Sequence, residues 1–267
     1  MIASRVHAIM AAGLANPDLL AHWNEQPELL RSYGVDPAAF DLSAIRKFAG
    51  LSAKVRHNGL RSYLPLTFRF LSLNGLEIEI FADYALHQAR AGKPYAANTE
   101  ERILDLVHFL SGWLDLNKLE QSLLWDLVRH ETALARLQNL TTSPKKSRSR
   151  KVPGAASVPH LAGDIILHEM NSDPRQLGKL LRQKSINVRE VRQGVIRLGY
   201  WNPGAPDEIC ILELDALGYH LLSMVDGRKS VADFSRLFNG KSRPTKNLIR
   251  AFSELAKVGV IFFETPA

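Results

Sequence analysis

The sequence predicts an α+β protein: an N-terminal α-helical bundle over residues 1–140, a basic linker over 141–159, and a C-terminal domain over 160–267 in which a three-stranded β meander precedes three helices. Three observations carry this reading. Apolar residues recur at helical spacing through nearly all of the first 140 positions. The stretch TTSPKKSRSRKVPGAASVP is Ser, Pro and Lys/Arg with hardly a large apolar side chain, a composition that cannot bury a core. Beyond it the pattern changes to short runs of β-formers and then returns to helical spacing.

The first helix runs from Ile2 to Ala15. Asn16-Pro17 opens a second, with Asn16 as cap and Pro17 at the first helical position, where its missing amide costs nothing. Gly34 and Asp36-Pro37 break the pattern, and Leu42 to Leu51 and a further segment from Lys54 follow as separate helices. Pro65 to Leu73, a turn at Gly75, and Ile78 to Ala91 with Ile80, Phe81, Tyr84 and Leu86 apolar come next. Thr99 caps a helix with Glu100 and Glu101 in its first turn, where acids oppose the positive end of the helix dipole. Leu116 to Leu137 is the longest helix, its stripe built from Leu119, Leu123, Leu124, Leu127, Val128 and Leu134. Five to seven helices with such faces make a bundle.

After the linker, Asp164 to Met170 reads as a strand and Ser172-Asp173-Pro174 starts a short helix through Arg182. Val188 to Val191, the turn Gln193-Gly194, and Val195 to Tyr200 read as a hairpin. Ile209 to Leu214 alternates as a strand, and Asp215, Ser230 and Thr245 each stand where a helix N-cap belongs. The last helix presents Leu248, Ile249, Phe252 and Leu255 on one face, Gly259 ends it, and Val260 to Phe263 closes as a strand.

Composition narrows the function. The formal charge of +7 suggests nucleic acid until it is located: residues 1–140 carry 14 basic and 15 acidic side chains, 141–159 five basic and none acidic, 160–267 15 and 12. The excess sits mostly in the linker run Lys145 to Lys151, which reads as solvated linker charge. A single cysteine, Cys210, permits no disulfide framework and no thiolate metal site within one chain, and implies a reducing cytoplasm. Asn16-Pro17-Asp18 interrupts the mildly apolar start, and no stretch approaches the ~20 apolar residues of a spanning helix. The histidines lie scattered, with no His-x-x-x-His, no His-Glu-x-x-His, no Gly-x-Ser-x-Gly and no phosphate or dinucleotide loop. No catalytic residue and no metal ligand is therefore assigned.

The order of three strands and three helices fits either a winged helix that docks its third helix in DNA or a peptide clamp at a sheet edge. A winged helix usually brings its hairpin after the recognition helix, whereas here the strands come first; Glu254 in the third helix and a domain charge of only +3 also oppose DNA, which needs several phosphate-neutralising contacts.

At this point particular phrases carry a resemblance. LELDALGYHLLSMVDGRKSVADFSRLF, with Asp-Gly-Arg-Lys-Ser-Val-Ala-Asp-Phe after a Leu-rich helix, and the closing Leu-x-x-x-Gly-Val-Ile resemble PqqD-like recognition elements, which bind the leader of ribosomally made, modified peptides. VRHNGLRSYLPLTFRFLSLNGLEIEIFADYALHQ resembles the N-terminal region of TglI-like partner proteins of multinuclear non-heme iron-dependent oxidative enzymes. The resemblance implies a non-catalytic subunit that forms a heterodimer with an iron enzyme of barrel fold and presents it a precursor peptide for oxidation at a cysteine, as in 3-thiaglutamate-type biosynthesis. It implies no cofactor in this chain, the iron belonging to the partner; the residues themselves give no membrane role and disfavour nucleic acid, the alternative being a winged-helix DNA-binding regulator with a helical sensor domain. Carried onto this sequence, the peptide groove takes Ile209, Cys210, Ile211, Leu212 and Glu213 of the third strand and Lys246, Asn247, Arg250 and Lys257 of the third helix. The docking surface is expected at Arg56, His57, Asn58, Arg61, Tyr63, Arg69 and Tyr84, a concentration of Arg and aromatic residues that interfaces favour.

Overall fold

The computed structural model describes residues 2–92, 95–139, 153–183, 187–203, 209–240 and 243–264. It is mixed α and β, and divides into two compact units: Met1–Val128 with Leu181–Ser185, and Arg129–Leu180 with Ile186–Ala267. The division falls inside a helix and not at residues 141–159. The basic run Lys145 to Lys151 lies outside the described residues.

The first unit holds α1 (Ile2–Ala15), α2 (Pro17–Glu25), α3 (Leu42–Arg56), α4 (Pro65–Leu73), α5 (Glu77–Arg90), α6 (Thr99–Trp113) and the first half of α7 (Leu119–Asn139). Asn16 caps α2 as expected, its side chain accepting from the amides of Asp18 and Leu19 at 3.2 and 3.3 Å. In α6 the cap is Asn98 and not Thr99: its Oδ1 accepts from Glu101 N at 2.8 Å. The two segments expected on either side of Leu51 to Lys54 are one helix, α3, because nothing between them is Gly or Pro. Trp23, Leu20, Leu30 and Ile45 form one buried cluster. Phe68, Phe81 and Tyr84 are buried beside one another, with ring centroids 5.9 Å (Phe68 to Phe81) and 6.3 Å (Phe81 to Tyr84) apart. Each such side chain contributes about 1.5–3 kcal/mol on burial. Gly50 sets how closely α3 and α5 approach: a Cβ there would lie 2.5 Å from the Ile78 carbonyl oxygen.

The second unit contains two small antiparallel sheets. β1 (Val158–Leu161) pairs with β5 (Ile261–Glu264), Val158 opposite Glu264 and Leu161 opposite Ile261. β1 starts inside the stretch expected to be linker. β2 (Ile165–Ser172), β3 (Gln193–Trp201) and β4 (Cys210–Leu214) form the meander, β3 in the middle and β4 at one edge. The expected hairpin at Val188 to Val191 is not present: Val188–Glu190 is a single 3-10 turn capped by Asn187, and β2 joins β3 through α8 (Pro174–Arg182). The short polar side chain of Asn187 accepts from Arg189 N at 3.2 Å, which offers this backbone a turn in place of a ladder.

Alternation along β3 covers both faces of the meander. Ile196, Leu198 and Tyr200 pack with Met170 and with Ala133 and Leu137 from the second half of α7. Trp201, on the opposite face, joins the core of α9 (Ala216–Met224), α10 (Val231–Asn239) and α11 (Lys246–Lys257), whose centre is Leu221, Phe234 and Phe252. All three helices start on the caps expected: Asp215, Ser230 and Thr245 accept from Gly218, Asp233 and Leu248 amides. Gly259, at φ 83°, takes the left-handed conformation that turns α11 into β5.

Candidate functional site: a groove at the sheet edge

The second unit has a groove of about 570 Å³ between β4 and α11. From β4 it takes Leu212, Glu213 and Leu214. Side chains alternate across a strand, so three consecutive residues reach one groove only if the backbone edge itself faces it. The strand order agrees, since β4 has β3 on one side and no strand on the other among the described residues. In an antiparallel pair, alternate residues turn their N–H and C=O away from the partner strand. The groove is thus floored by an open row of backbone donors and acceptors.

Its other wall is α11, through Asn247, Arg250, Ala251, Glu254 and Leu255, with Val258 just past the end of that helix and Leu217 and Gly218 of α9 also lining the groove. Leu212, Leu214, Leu217 and Ala251 supply apolar surface. Glu254 is held by Lys257 at 2.7 Å, which lowers its pKa. Arg250 and Asn247 are exposed, and their side chains form no hydrogen bond or ion pair with the described residues. Beside the backbone edge and the apolar surface, the side chains left without a protein partner are thus one guanidinium and one carboxamide, while Glu213 and Glu254 are already paired.

A charge network stiffens β4. Arg175 at the start of α8 donates to both oxygens of Asp173, at 2.9 and 2.7 Å, and also to Glu213. Arg192 donates to Glu213 Oε1 at 2.6 Å. The hydrogen bonds from Arg175 and then Arg192 hold the Glu213 carboxyl below its ordinary range. Burial pushes the Asp173 carboxyl up, but the hydrogen bond and charge of Arg175 outweigh it and the net shift is downward. Both groups stay ionised at neutral pH, so the edge strand is pinned to α8 and to the start of β3.

Of the expected peptide positions, Leu212, Glu213, Asn247 and Arg250 are brought together. Ile209 and Ile211 lie on the opposite face, against the cluster of Leu137 and Met170. Cys210 packs toward the three-helix core, Lys246 is exposed on the first turn of α11, and Lys257 is engaged by Glu254. Sequence reasoning missed Leu217, Glu254 and Val258. The helical spacing of 247, 250, 251, 254, 255 and 258 was available as a signal once Asn247 and Arg250 had been placed.

No family model and no curated protein matches the chain.

The expected docking positions divide. His57 and Tyr84 cannot be surface contacts, being 1% and 0% exposed. His57 Nδ1 lies 2.8 Å from Ala53 O, and its ring stacks on Phe81 and meets Tyr84 and Tyr95 edge-on. Burial lowers the His57 pKa, so the ring is neutral. Arg61 pairs with buried Glu77 and lies over the Phe68 ring. Arg56, Asn58, Tyr63 and Arg69 are exposed. The apolar stripe next to them went unread: Phe48, Leu51 and Val55, spaced along α3, are 54%, 41% and 67% exposed. Ending the helix at Leu51 had split that stripe.

Proposed function

We propose that this chain is a non-catalytic peptide-recognition subunit, in which β4 and α11 hold an extended precursor peptide for an oxidative enzyme that carries the iron. The observation that supports it most is the groove at the open edge of β4. A peptide strand added there satisfies the free backbone groups whatever its sequence, and side-chain pockets then select among peptides. Leu212, Leu214 and Leu217 would receive an apolar residue, and Arg250 an acidic one. The helical unit, with exposed Phe48, Leu51 and Val55 beside Arg56 and Asn58, supplies the surface for the enzyme, since interface cores are apolar and rich in Arg. The chemistry takes place on a cysteine of the peptide, at the partner's metal.

Fluorescence anisotropy with a labelled leader peptide from a neighbouring reading frame tests this on the full chain. Saturable binding is expected, at least tenfold weaker for Arg250→Glu and for a peptide N-methylated at alternate residues. Absence of saturable peptide binding, together with salt-sensitive binding of a labelled duplex, would instead make the protein a winged-helix DNA-binding regulator.

A further inference from the structure

The helical unit contains a second opening, of about 290 Å³, that the peptide-binding role does not use. Leu14, Pro17, Ala49 and Ala85 form apolar walls around it. Four polar side chains also reach it: Ser52 and Arg56 from α3, Gln88 from α5, and Tyr95 just beyond α5.

Two of these point to a ligand. Gln88 is 6% exposed, and its carboxamide makes one hydrogen bond, from Nε2 to Tyr84 Oη at 3.0 Å. Its oxygen and second N–H have no partner among the described residues. As Gln88 lines the opening and that oxygen is not sealed from solvent, it is free to accept from a ligand there. Arg56 has no carboxylate partner among the described residues either; its guanidinium lies 4.7 Å from the centroid of the Tyr95 ring. Burial raises the Tyr95 pKa, so its phenol keeps its proton as a donor. No Asp or Glu lines the opening. A ligand ammonium would find no counter-charge, whereas a single carboxylate meets a pre-placed guanidinium.

We propose that this pocket binds a small monocarboxylate with a compact apolar body and one further polar group. The carboxylate pairs with Arg56 at the mouth, the apolar body lies against the alanines, and the second polar group completes Gln88. The volume admits on the order of ten non-hydrogen atoms, taking the space of a water for each. Both a free acid and the terminal carboxylate of a peptide present this chemistry.

Amide NMR spectra of the full chain, titrated with 2-hydroxyisovalerate for a free acid and N-acetylvaline for a chain terminus, test the proposal. Saturable shifts are expected at Ala53, Ala85 and Ala89 with at least one of the two, and the tighter of them identifies the source. Replacing the carboxylate by its primary amide is expected to weaken binding at least tenfold, as is Arg56→Gln, an exposed change that spares the core; isovalerate, lacking the hydroxyl, binds severalfold more weakly than its hydroxy acid. Ala89→Met, which fills the pocket from the other wall, abolishes the shifts while leaving thermal unfolding unchanged. The proposal fails if neither acid gives saturable shifts at millimolar concentration, if the amides bind as well as the acids, or if Arg56→Gln binds undiminished.

Discussion

The two units place their buried polar groups differently. The helical unit places ionic and polar groups inside: Glu77, 4% exposed, is paired with Arg61 and with Lys54 at 3.0 Å and accepts from Ser72 Oγ at 2.7 Å, while His57 and Gln88 lie among aromatic rings. The mixed unit keeps the cluster of α9, α10 and α11 apolar, Leu221, Phe234, Phe252 and Ile261 among them, and buries its polar groups elsewhere: His130 and Glu131, 6% and 4% exposed, on the second half of α7, and Asp173, 8% exposed, in the network with Arg175, Arg192 and Glu213 at the edge of the meander. The difference follows from how each kind of element fixes its alignment. Strands are registered by their backbone ladder, and a slip of one residue would turn every side chain to the wrong face. Helices have no such ladder between them, and directional polar contacts such as those of Glu77 serve to select one packing among several of similar apolar area.

The comparison is broken most severely by removing apolar bulk from the mixed unit. Phe252→Ala is expected to cost about 4 kcal/mol, read as lost hydrogen-exchange protection in α11 and β5. Glu77→Gln keeps the shape but leaves Lys54 and Arg61 without their carboxylate. Because both cations are partly solvated, a loss of about 3 kcal/mol is expected in the helical unit, measured by denaturant unfolding; a loss below ~1 kcal/mol would show that the ion cluster selects no packing.

A smaller effect in the mixed unit depends on pH. Burial pushes His168 down to about 4, with Arg129 and Arg136 adding to it. An unfolded histidine titrates at about 6.5. Between those values the unfolded chain takes up a proton that the folded chain refuses, so stability is full above pH ~6.5 and falls as the pH drops toward ~4. The loss amounts to about 2 kcal/mol after discounting for the solvent that reaches the ring. Thermal melts of the wild type and His168→Leu at pH 7 and pH 4.5 check this: the variant should lose less on acidification.

Much of the fold was legible in local sequence because local physics decides it. Asn16-Pro17, Asp215, Ser230, Thr245 and Gly259 act within three or four residues of themselves, and each does in the structure what its type dictates. β1 was not legible, since a four-residue strand containing Pro159 has no signal of its own and exists through pairing with β5. Val188 to Val191 misled because two valines suggest a strand, while Asn187 settles the backbone as a turn. Tyr84 lay on the same helical face as Ile80 and Phe81, and that periodicity foretold burial more reliably than its residue type foretold an interface. The groove at the sheet edge was half legible: which strand and which helix face each other followed from element order, but which residues point inward needed the register of β4 on β3.

The pairing of β1 with β5 also sets an order of events. Val158 and Glu264 are separated by about a hundred residues of chain, so their ladder is among the least local contacts of the mixed unit, and such contacts pay their loop-closure entropy before they gain anything. During synthesis β1 leaves the ribosome early and waits, unpaired, until α11 and β5 have followed. The groove wall formed by α11 is anchored by the same late event, which makes the groove one of the last parts of the mixed unit to form.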